Sequence, residues 1–171
     1  GRRSIRKFKE QKVDRETIEK IVAAASYAPS WKNTQVVRYH VFDDPQIKSD
    51  IANKYTLGFA YNTGTLEHAP QVVALTAVKG RSGMEKDGSC TTSKGESWLM
   101  FDSGIAAQTF CLAAYDYGVG TVIMGIFDAD KVAELGVTYT VVGEVTESGF
   151  AYGDMKIDTE EALKTWEEPL E

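Results

Sequence analysis

The amino-acid sequence predicts an α+β domain in which a layer of strands packs against helices. Three observations favour this class. Segments with the composition of strands alternate with segments of helical periodicity, residues 97–117 form one long helix with a wide apolar face, and the sequence lacks the evenly spaced short strands of an all-β sandwich. The 171 residues, 43% of them hydrophobic, suffice for one core. We therefore expect residues 1–171 to form a single domain.

The first third of the chain predicts a helix, a strand and a second helix. Residues 14–27 place apolar side chains at helical spacing behind Asp14, which is a typical N-cap, and Pro29 ends this helix. Residues 35–42 are rich in β-branched and aromatic side chains, as strands are. The sequence Asp43-Asp44-Pro45 then supplies an N-cap and a first-turn proline for the second helix.

The middle of the chain predicts a strand, a long polar connection and the central helix. Residues 71–78 are almost continuously apolar, which is typical of a strand buried on both faces. Residues 79–96 are polar and contain four glycines, so they form either a lid or a disordered loop. Residues 97–117 have the widest apolar face, and Gly118 supplies a left-handed C-terminal cap.

The last third predicts shorter elements. Residues 121–124 predict a short buried strand, and Asp128 begins a helix that ends at Gly136. Residues 139–145 alternate between apolar and polar side chains, as a half-buried strand does. The sequence Asp158-Thr159-Glu160-Glu161 is similar to a capping box and predicts a short final helix.

Charge and cysteine content exclude several classes of protein. The net charge of −6 argues against a general nucleic-acid surface. The charge is unevenly distributed: residues 1–12 contain six basic side chains and one acidic side chain, and residues 144–171 contain nine acidic side chains and two basic ones. Cys90 and Cys111 are too few for a four-thiolate metal site and fit a reducing cytoplasm. No apolar run reaches the length of a membrane-spanning helix. We expect a cytoplasmic protein without a metal, membrane or nucleic-acid site.

The opening Arg2-Arg3-Ser4-Ile5-Arg6-Lys7-Phe8 groups guanidinium and hydroxyl donors in a short segment. Guanidinium groups bind phosphate through two parallel hydrogen bonds, so the segment could hold a phosphate monoester. Composition alone favours a solvated basic arm over this reading. An arm that binds nucleic acid is a third reading, which the negative net charge disfavours.

The segment Ala28–Gln35 joins the first predicted helix to the first predicted strand and contains proline, serine, asparagine and tryptophan. Its donors and acceptors could contact the polar edge of a heterocycle. Turn chemistry that merely ends the helix explains the same residues at least as well.

The sequence contains no defensible set of side chains for acid–base or nucleophilic catalysis. His40 lies within a predicted strand and His68 directly precedes Ala69-Pro70, so both favour structural roles. Asp102 and Asp116 lie on the long helix, where we expect them to cap it or to be solvated.

Five motifs, in order along residues 1–136, resemble the nitroreductase family of FMN-dependent oxidoreductases. They are Arg-Arg-Ser-Ile-Arg-Lys-Phe at 2–8, Ala-Pro-Ser-x-x-Asn-x-Gln at 28–35, Tyr61-Asn62 ahead of Ala-Pro-Gln-Val-Val at 69–73, Asp-Ser-Gly-Ile-Ala-Ala-Gln at 102–108, and Tyr-Gly-Val-Gly-Thr-Val-Ile-Met-Gly at 117–125. Each motif is weak alone, and their common order makes the resemblance specific.

The resemblance implies a mixed central sheet flanked by helices, a homodimer formed through the long central helix, and FMN at the subunit interface. From one subunit it implies contacts to the phosphate, ribityl chain or ring by Arg2, Arg3, Ser4, Arg6 and Asn62. From the other subunit it implies Pro29, Ser30 and Asn33, while backbone groups near the reactive edge of the flavin would belong to Met124 and Gly125. No side chain is implied to be catalytic, because the flavin transfers the hydride.

The implied activity passes a hydride from NADH or NADPH to the flavin and then reduces a small-molecule acceptor, such as a nitroaromatic or a quinone. The alternative is a non-catalytic dimeric relative that binds flavin without turnover or has lost FMN. Departures from the family pattern motivate this alternative. Val36-Val37 stands where the family commonly has Pro-Trp, and residues 137–171 are atypical, with Lys156 the only basic residue visible where the family closes on the phosphate.

Overall fold

The computed structural model describes residues 1–135, 144–146, 149–152 and 155–158. The chain divides into two compact units, Gly1–Leu135 and Gly136–Glu171. The first unit contains, in order, α1 (Arg15–Ala25), a 3-10 turn (Trp31–Asn33), β1 (Val37–Phe42), α2 (Pro45–Lys54), α3 (Ala60–His68), β2 (Val72–Ala77), α4 (Ser97–Asp116) and α5 (Ala129–Glu134). The second contains β3 (Glu144–Thr146), β4 (Gly149–Tyr152) and β5 (Met155–Asp158). The predicted α+β class is confirmed.

Three helices begin where the capping residues predicted. The carboxylate of Asp14 accepts a hydrogen bond from the Thr17 N–H at 2.8 Å, and that of Asp44 accepts one from the Ile47 N–H at 2.9 Å. The carboxylate of Asp128 accepts from Lys131 N–H at 3.1 Å, which begins α5. Each carboxylate satisfies a backbone donor that the first helical turn leaves without a partner.

The central helix α4 packs against α1 and against both strands of the first sheet. Ala106, Cys111 and Ala114 are buried at these contacts, as predicted for the apolar face of residues 97–117. The ring of Tyr39 on β1 stacks on Phe110 with centroids 5.1 Å apart, and its hydroxyl donates to the Ala106 carbonyl at 3.2 Å. These contacts fix α4 across the sheet.

The first sheet is an antiparallel pair with β1 beside β2, in a register that places Val37 opposite Ala77 and Phe42 opposite Val72. The predicted burial of residues 71–78 on both faces is wrong, because every residue of β2 is only partly buried. In the part of the chain that the structure describes, β2 has a strand partner along one edge only. A continuous apolar run therefore does not by itself show that both faces of a strand are buried.

Two elements differ from the sequence-based predictions. Residues 121–124 do not form a strand, since Thr121 makes an isolated parallel bridge with Ser4 and Ile5 N–H donates to the Thr121 carbonyl at 2.9 Å. Helix α3 was not predicted, because its sequence contains Gly64 and little apolar periodicity. Parallel pairing within residues 1–135 is limited to that bridge, and the described sheets are antiparallel.

The second unit contains an antiparallel sheet in the order β3-β4-β5, with Glu144 opposite Ala151 and Phe150 opposite Ile157. Glu144 and Val145 of the predicted strand 139–145 lie in β3, whereas residues 139–143 and the predicted helix after Asp158 lie outside the described residues. The single-domain prediction for residues 1–171 stays a prediction. None of the described helices has the length and apolar character needed to cross a bilayer.

Candidate functional site

The basic arm, residues 1–12, is attached to the first unit through its backbone and its last lysine. Besides the Ile5–Thr121 hydrogen bond, Lys12 donates to the Asp43 carboxylate at 3.1 Å. Just beyond the arm, the Gln71 side chain accepts from the Val13 N–H at 2.8 Å and donates to the Val13 carbonyl at 3.1 Å. The side-chain amide of Gln71 thus pairs with the main chain as a neighbouring strand would.

Arg2 and Arg3 line an open cleft of about 250 Å³ between the basic arm and the end of α4. The opposite wall comprises Tyr115 and residues 118–121. The hydroxyl of Thr121 is buried in this region without a hydrogen-bond partner among the described residues. Since buried hydroxyls are normally paired, this oxygen lacks the partner that a ligand or a water usually supplies.

The guanidinium groups of Arg2, Arg3 and Arg6 form no salt bridge within residues 1–135. Arg2 is partly buried, while Arg3, Ser4 and Arg6 are exposed. Positive charges without an ion-pair partner attract an anion, and Arg2 and Arg3 line a cleft that admits one, whereas Arg6 is not among the residues that line it. The arrangement suits a phosphate group.

The loop 30–35 contains three non-glycine residues in the left-handed region: Lys32, Asn33 and Gln35, with φ of 45°, 53° and 45°. Ser30 closes this loop, because its hydroxyl oxygen accepts from the Gln35 N–H at 2.9 Å and its carbonyl accepts from the Asn33 N–H at 3.0 Å. Side chains other than glycine adopt such backbone angles only where surrounding contacts impose them. Pro29 is exposed just ahead of the loop.

Asn62 on α3 forms a hydrogen bond to the segment 122–126, which follows the cleft residues 118–121. Its side-chain amide donates to the Ile126 carbonyl at 3.0 Å, and Asp128 N–H donates to the Tyr55 carbonyl at 2.7 Å. These bonds place Met124 and Gly125 near the beginning of α3. A Cβ built on Gly125 would meet no atom within 4 Å, so a ligand can approach its backbone.

The contacts within residues 1–135 thus connect the predicted site residues in two groups and leave one loop apart from both. Arg2, Arg3 and Ser4 adjoin residues 118–121, and Asn62 adjoins residues 124–126. Pro29, Ser30 and Asn33 form no hydrogen bond to either group within residues 1–135. The predicted roles of these residues stay predictions.

The expectation for Asp102 is wrong, because this side chain neither caps α4 nor faces solvent. Asp102 is only 3% exposed and accepts two hydrogen bonds on its Oδ2 atom, from the Trp31 N–H at 3.0 Å and from the Ser82 hydroxyl at 2.6 Å. These partners lie 71 and 20 positions away in the chain, so no local pattern could have indicated them. Asp116 is exposed, as predicted.

Residues 79–96 adopt a compact series of turns, so of the two predicted alternatives disorder is wrong. Glu85 N–H donates to the Ser89 carbonyl at 2.8 Å, and Thr91 N–H donates to the Gly83 carbonyl at 2.9 Å. The Glu85 carboxylate accepts from the Thr91 hydroxyl at 2.6 Å and from Lys32 at 3.0 Å. These two donors, the hydroxyl first, lower the pKa of Glu85 below its usual value.

The two histidines bond to their structural neighbours. The Nε2 atom of His40 lies 2.9 Å from the Thr76 hydroxyl on the paired strand, and partial burial lowers the pKa of His40. The Nδ1 atom of His68 lies 2.7 Å from the Gly64 carbonyl one turn earlier in α3. Neither contact resembles a catalytic pair, in agreement with the predicted structural roles.

A model of the nitroreductase family matches residues 1–143 of the chain. A protein of Archaeoglobus fulgidus, provisionally named NADH dehydrogenase/NAD(P)H nitroreductase, is 27% identical over 130 residues, which are 76% of this chain and 66% of that protein. The chain thus spans slightly less than two thirds of this curated relative's length.

Two solved structures have a similar fold. A nitroreductase family protein from Clostridium novyi NT is 28% identical with a TM-score of 0.66, over 81% of this chain and 73% of that one. A provisionally named nitroreductase from Desulfovibrio desulfuricans, solved in complex with FMN, is 25% identical with a TM-score of 0.56, over 78% of this chain and 68% of that one.

Proposed function

The chain belongs to the nitroreductase family, and we propose that it is an FMN-dependent oxidoreductase that passes a hydride from NAD(P)H through the flavin to a nitroaromatic, quinone or similar acceptor. The observation that favours this function most is the cleft beside the basic arm. There, unpaired guanidinium groups and a buried, unpartnered hydroxyl lie together on the described part of the chain.

The residues present fit FMN at its phosphate end. Arg2 and Arg6 would bind the phosphate through charge-assisted hydrogen bonds, with Arg3 and Ser4 as further donors. The unpartnered Thr121 hydroxyl would gain a partner in the same cleft. A dianion in the cleft would also be attracted by the positive charges of Arg2 and Arg3.

The second group of residues fits the flavin ring. Asn62 still has an acceptor oxygen and a second amide proton after bonding Ile126, and these can contact the ring or ribityl chain. The backbone at Met124 and Gly125 is approachable because a Cβ on Gly125 would meet open space. When bound, the flavin supplies the hydride chemistry, and the protein supplies binding, orientation and electrostatics.

In this scheme the reaction does not require an acid–base pair among the side chains of the chain. Their tasks are to retain the phosphate, orient the ring and leave one face open to nicotinamide and acceptor in turn. The free cysteines Cys90 and Cys111 fit the reducing cytoplasm that we propose as its location.

A homodimer through α4 is part of this proposal. Met100, Phe101, Leu112 and Tyr115 are exposed on this helix, with Met100 74% and Leu112 51% exposed. At roughly 100° per residue, Met100, Phe101, Leu112 and Tyr115 fall within about a third of the helix circumference, so these apolar side chains share one face. An apolar face of this length is typical of obligate subunit interfaces. A dimer would also bring loop 30–35 of a second subunit to the cofactor.

Purification of the full chain and an anaerobic reduction test this function. We expect a yellow protein that releases FMN on denaturation and whose flavin absorbance is bleached by NADH or NADPH. A protein that binds FMN but is not bleached would support the non-catalytic alternative instead. A colourless protein that does not bind added FMN would contradict the proposal.

Sedimentation velocity at micromolar concentration tests the dimer. We expect the parent chain to sediment as a dimer and Leu112→Glu to sediment as a monomer, because the substitution places a charge in the apolar face of α4. A parent chain that sediments as a stable folded monomer would contradict the proposed interface.

A further inference from the structure

The buried carboxylate of Asp102 links three separate parts of the first unit. It lies on α4, bonds the backbone N–H of Trp31 at the start of the 3-10 turn, and bonds the hydroxyl of Ser82 in the 79–96 loop. Ser82 is 2% exposed and Asp102 is 3% exposed, so neither group has water as its principal partner. A buried carboxylate without donors would be strongly unfavourable, which makes both bonds energetically important.

Of the two segments that Asp102 bonds, loop 30–35 is the one with strained backbone. Lys32, Asn33 and Gln35 all have positive φ, and each such residue costs on the order of 1 kcal/mol or more unless its surroundings compensate. Trp31, directly before them, packs its ring against Trp98 of α4 with centroids 4.6 Å apart. Lys32 bonds Glu85 at 3.0 Å on the exposed side. The Asp102–Trp31 bond is therefore the buried polar attachment of this loop to α4.

We propose that Asp102 is a positioning residue for the cofactor site: its carboxylate anchors Trp31 to α4 and thereby keeps loop 30–35 in the left-handed conformation that presents Ser30 and Asn33 to FMN. The proposal rests on the proposed function, since it assigns the loop to flavin binding. Asp102 itself does not touch the cofactor in this scheme. Its effect passes through the Trp31 backbone and the strained residues that follow it.

The convergence of both bonds on Oδ2 makes the substitutions at Asp102 informative. The single carbonyl oxygen of Asn can accept from both donors, although without the negative charge that strengthens each bond. Alanine removes both acceptors and leaves the Trp31 N–H and the Ser82 hydroxyl without their partner. Ser82→Ala removes one bond and leaves the attachment of Trp31 intact.

The experiment measures the FMN dissociation constant by flavin fluorescence and the amide exchange of residues 30–35 in the flavin-free protein. We expect Asp102→Ala to raise the dissociation constant roughly tenfold or more and to speed exchange in the loop. Asp102→Asn should recover most of the affinity. Ser82→Ala should lower the melting temperature but leave FMN affinity within about twofold. Ser103→Ala is the matched control, because its hydroxyl bonds the Leu99 carbonyl within α4.

Three outcomes would overturn the proposal. Equal FMN affinity in Asp102→Ala and the parent would remove the link to the cofactor, while leaving the proposed function intact. Parallel losses of melting temperature and affinity in Ser82→Ala and Asp102→Ala, with faster exchange throughout α4, would indicate only a structural role. Absence of FMN binding by the parent would instead contradict the proposed function, and this proposal with it.

Discussion

The basic arm and the 79–96 loop are both polar segments, but they differ in how their polar groups are used. The arm is attached mainly through its backbone at Ile5 and through the last lysine, while Arg2, Arg3 and Arg6 form no salt bridge within residues 1–135. In the loop, Glu85 accepts from Thr91 and Lys32, and Thr92 accepts from the Trp98 indole N–H at 2.9 Å. The Glu85 carboxylate and the Thr92 hydroxyl of the loop thus have partners within residues 1–135, whereas the three guanidinium groups of the arm have no ion-pair partner there.

This difference separates a structural role from a binding role. A satisfied polar network contributes to stability and resists a ligand that would have to break it. Exposed cations without a partner contribute little to the stability of the fold, and they form strong hydrogen bonds only when an anion binds. We therefore expect substitutions in the loop to change stability and substitutions in the arm to change cofactor affinity.

The largest effect is expected for Gly83→Ala in the loop. A Cβ at Gly83 would lie 2.5 Å from the Gly95 carbonyl oxygen and 2.8 Å from Trp98 Cδ1, and the residue has a φ of +76°. We expect a loss of about 2–4 kcal/mol in the free energy of unfolding, measured by urea denaturation. Gly80→Ala is the control, because it has nearly the same φ of +75° but no atom within 4 Å of its Cβ. Equal losses in both variants would contradict close packing at Gly83.

The second effect concerns the arm. Arg2→Ala and Arg6→Ala should each weaken FMN binding by about 1.5–3 kcal/mol, because each removes a charge-assisted donor to the phosphate. The melting temperature of the flavin-free protein should not change. Lys12→Ala is the control, since Lys12 already bonds Asp43. A fall in the flavin-free melting temperature with unchanged FMN affinity would give the arm a structural role.

The smallest effect is a pH dependence in the loop. Hydrogen bonds from Thr91 and, to a smaller extent, from Lys32 lower the pKa of Glu85 in the folded protein. The ionised carboxylate therefore stabilises the fold at pH values above its pKa in the unfolded chain, near 4.5. This stabilisation is lost as the pH falls through the lower pKa of the folded protein. Glu85→Gln should therefore lower the melting temperature slightly at pH 7, and the difference from the parent should shrink as the pH falls below 4.5. A difference that persists at acid pH would have another cause.

Much of the fold could be predicted because its signals are local. The carboxylates of Asp14, Asp44 and Asp128 cap helices three residues away, and the apolar face of α4 is visible in the sequence itself. Pairing between segments far apart in the sequence leaves no such local signal. The apolar character of residues 121–124 indicated a strand, yet the arm pairs with them only at Thr121.

The candidate site could be predicted as a set of motifs but not as an arrangement. The motifs identified Arg2, Asn62 and Gly125, whereas the bond from Asn62 to the Ile126 carbonyl depends on contacts 64 positions apart. Asp102 was missed for the same reason, since its partners are distant in the chain. The left-handed backbone at Lys32 and Gln35 left no signal either, because neither residue type favours it, whereas Asn33 is of a type that adopts it more readily.

The most direct test of the contrast between arm and loop compares the binding of FMN with that of riboflavin, which lacks the phosphate. The parent should bind FMN at least about tenfold more tightly, because only FMN engages the guanidinium groups of the arm. In an Arg2→Ala/Arg6→Ala double variant this preference should largely disappear, while riboflavin affinity stays near that of the parent. Equal affinities of the parent for FMN and riboflavin would contradict the assignment of the arm to the phosphate.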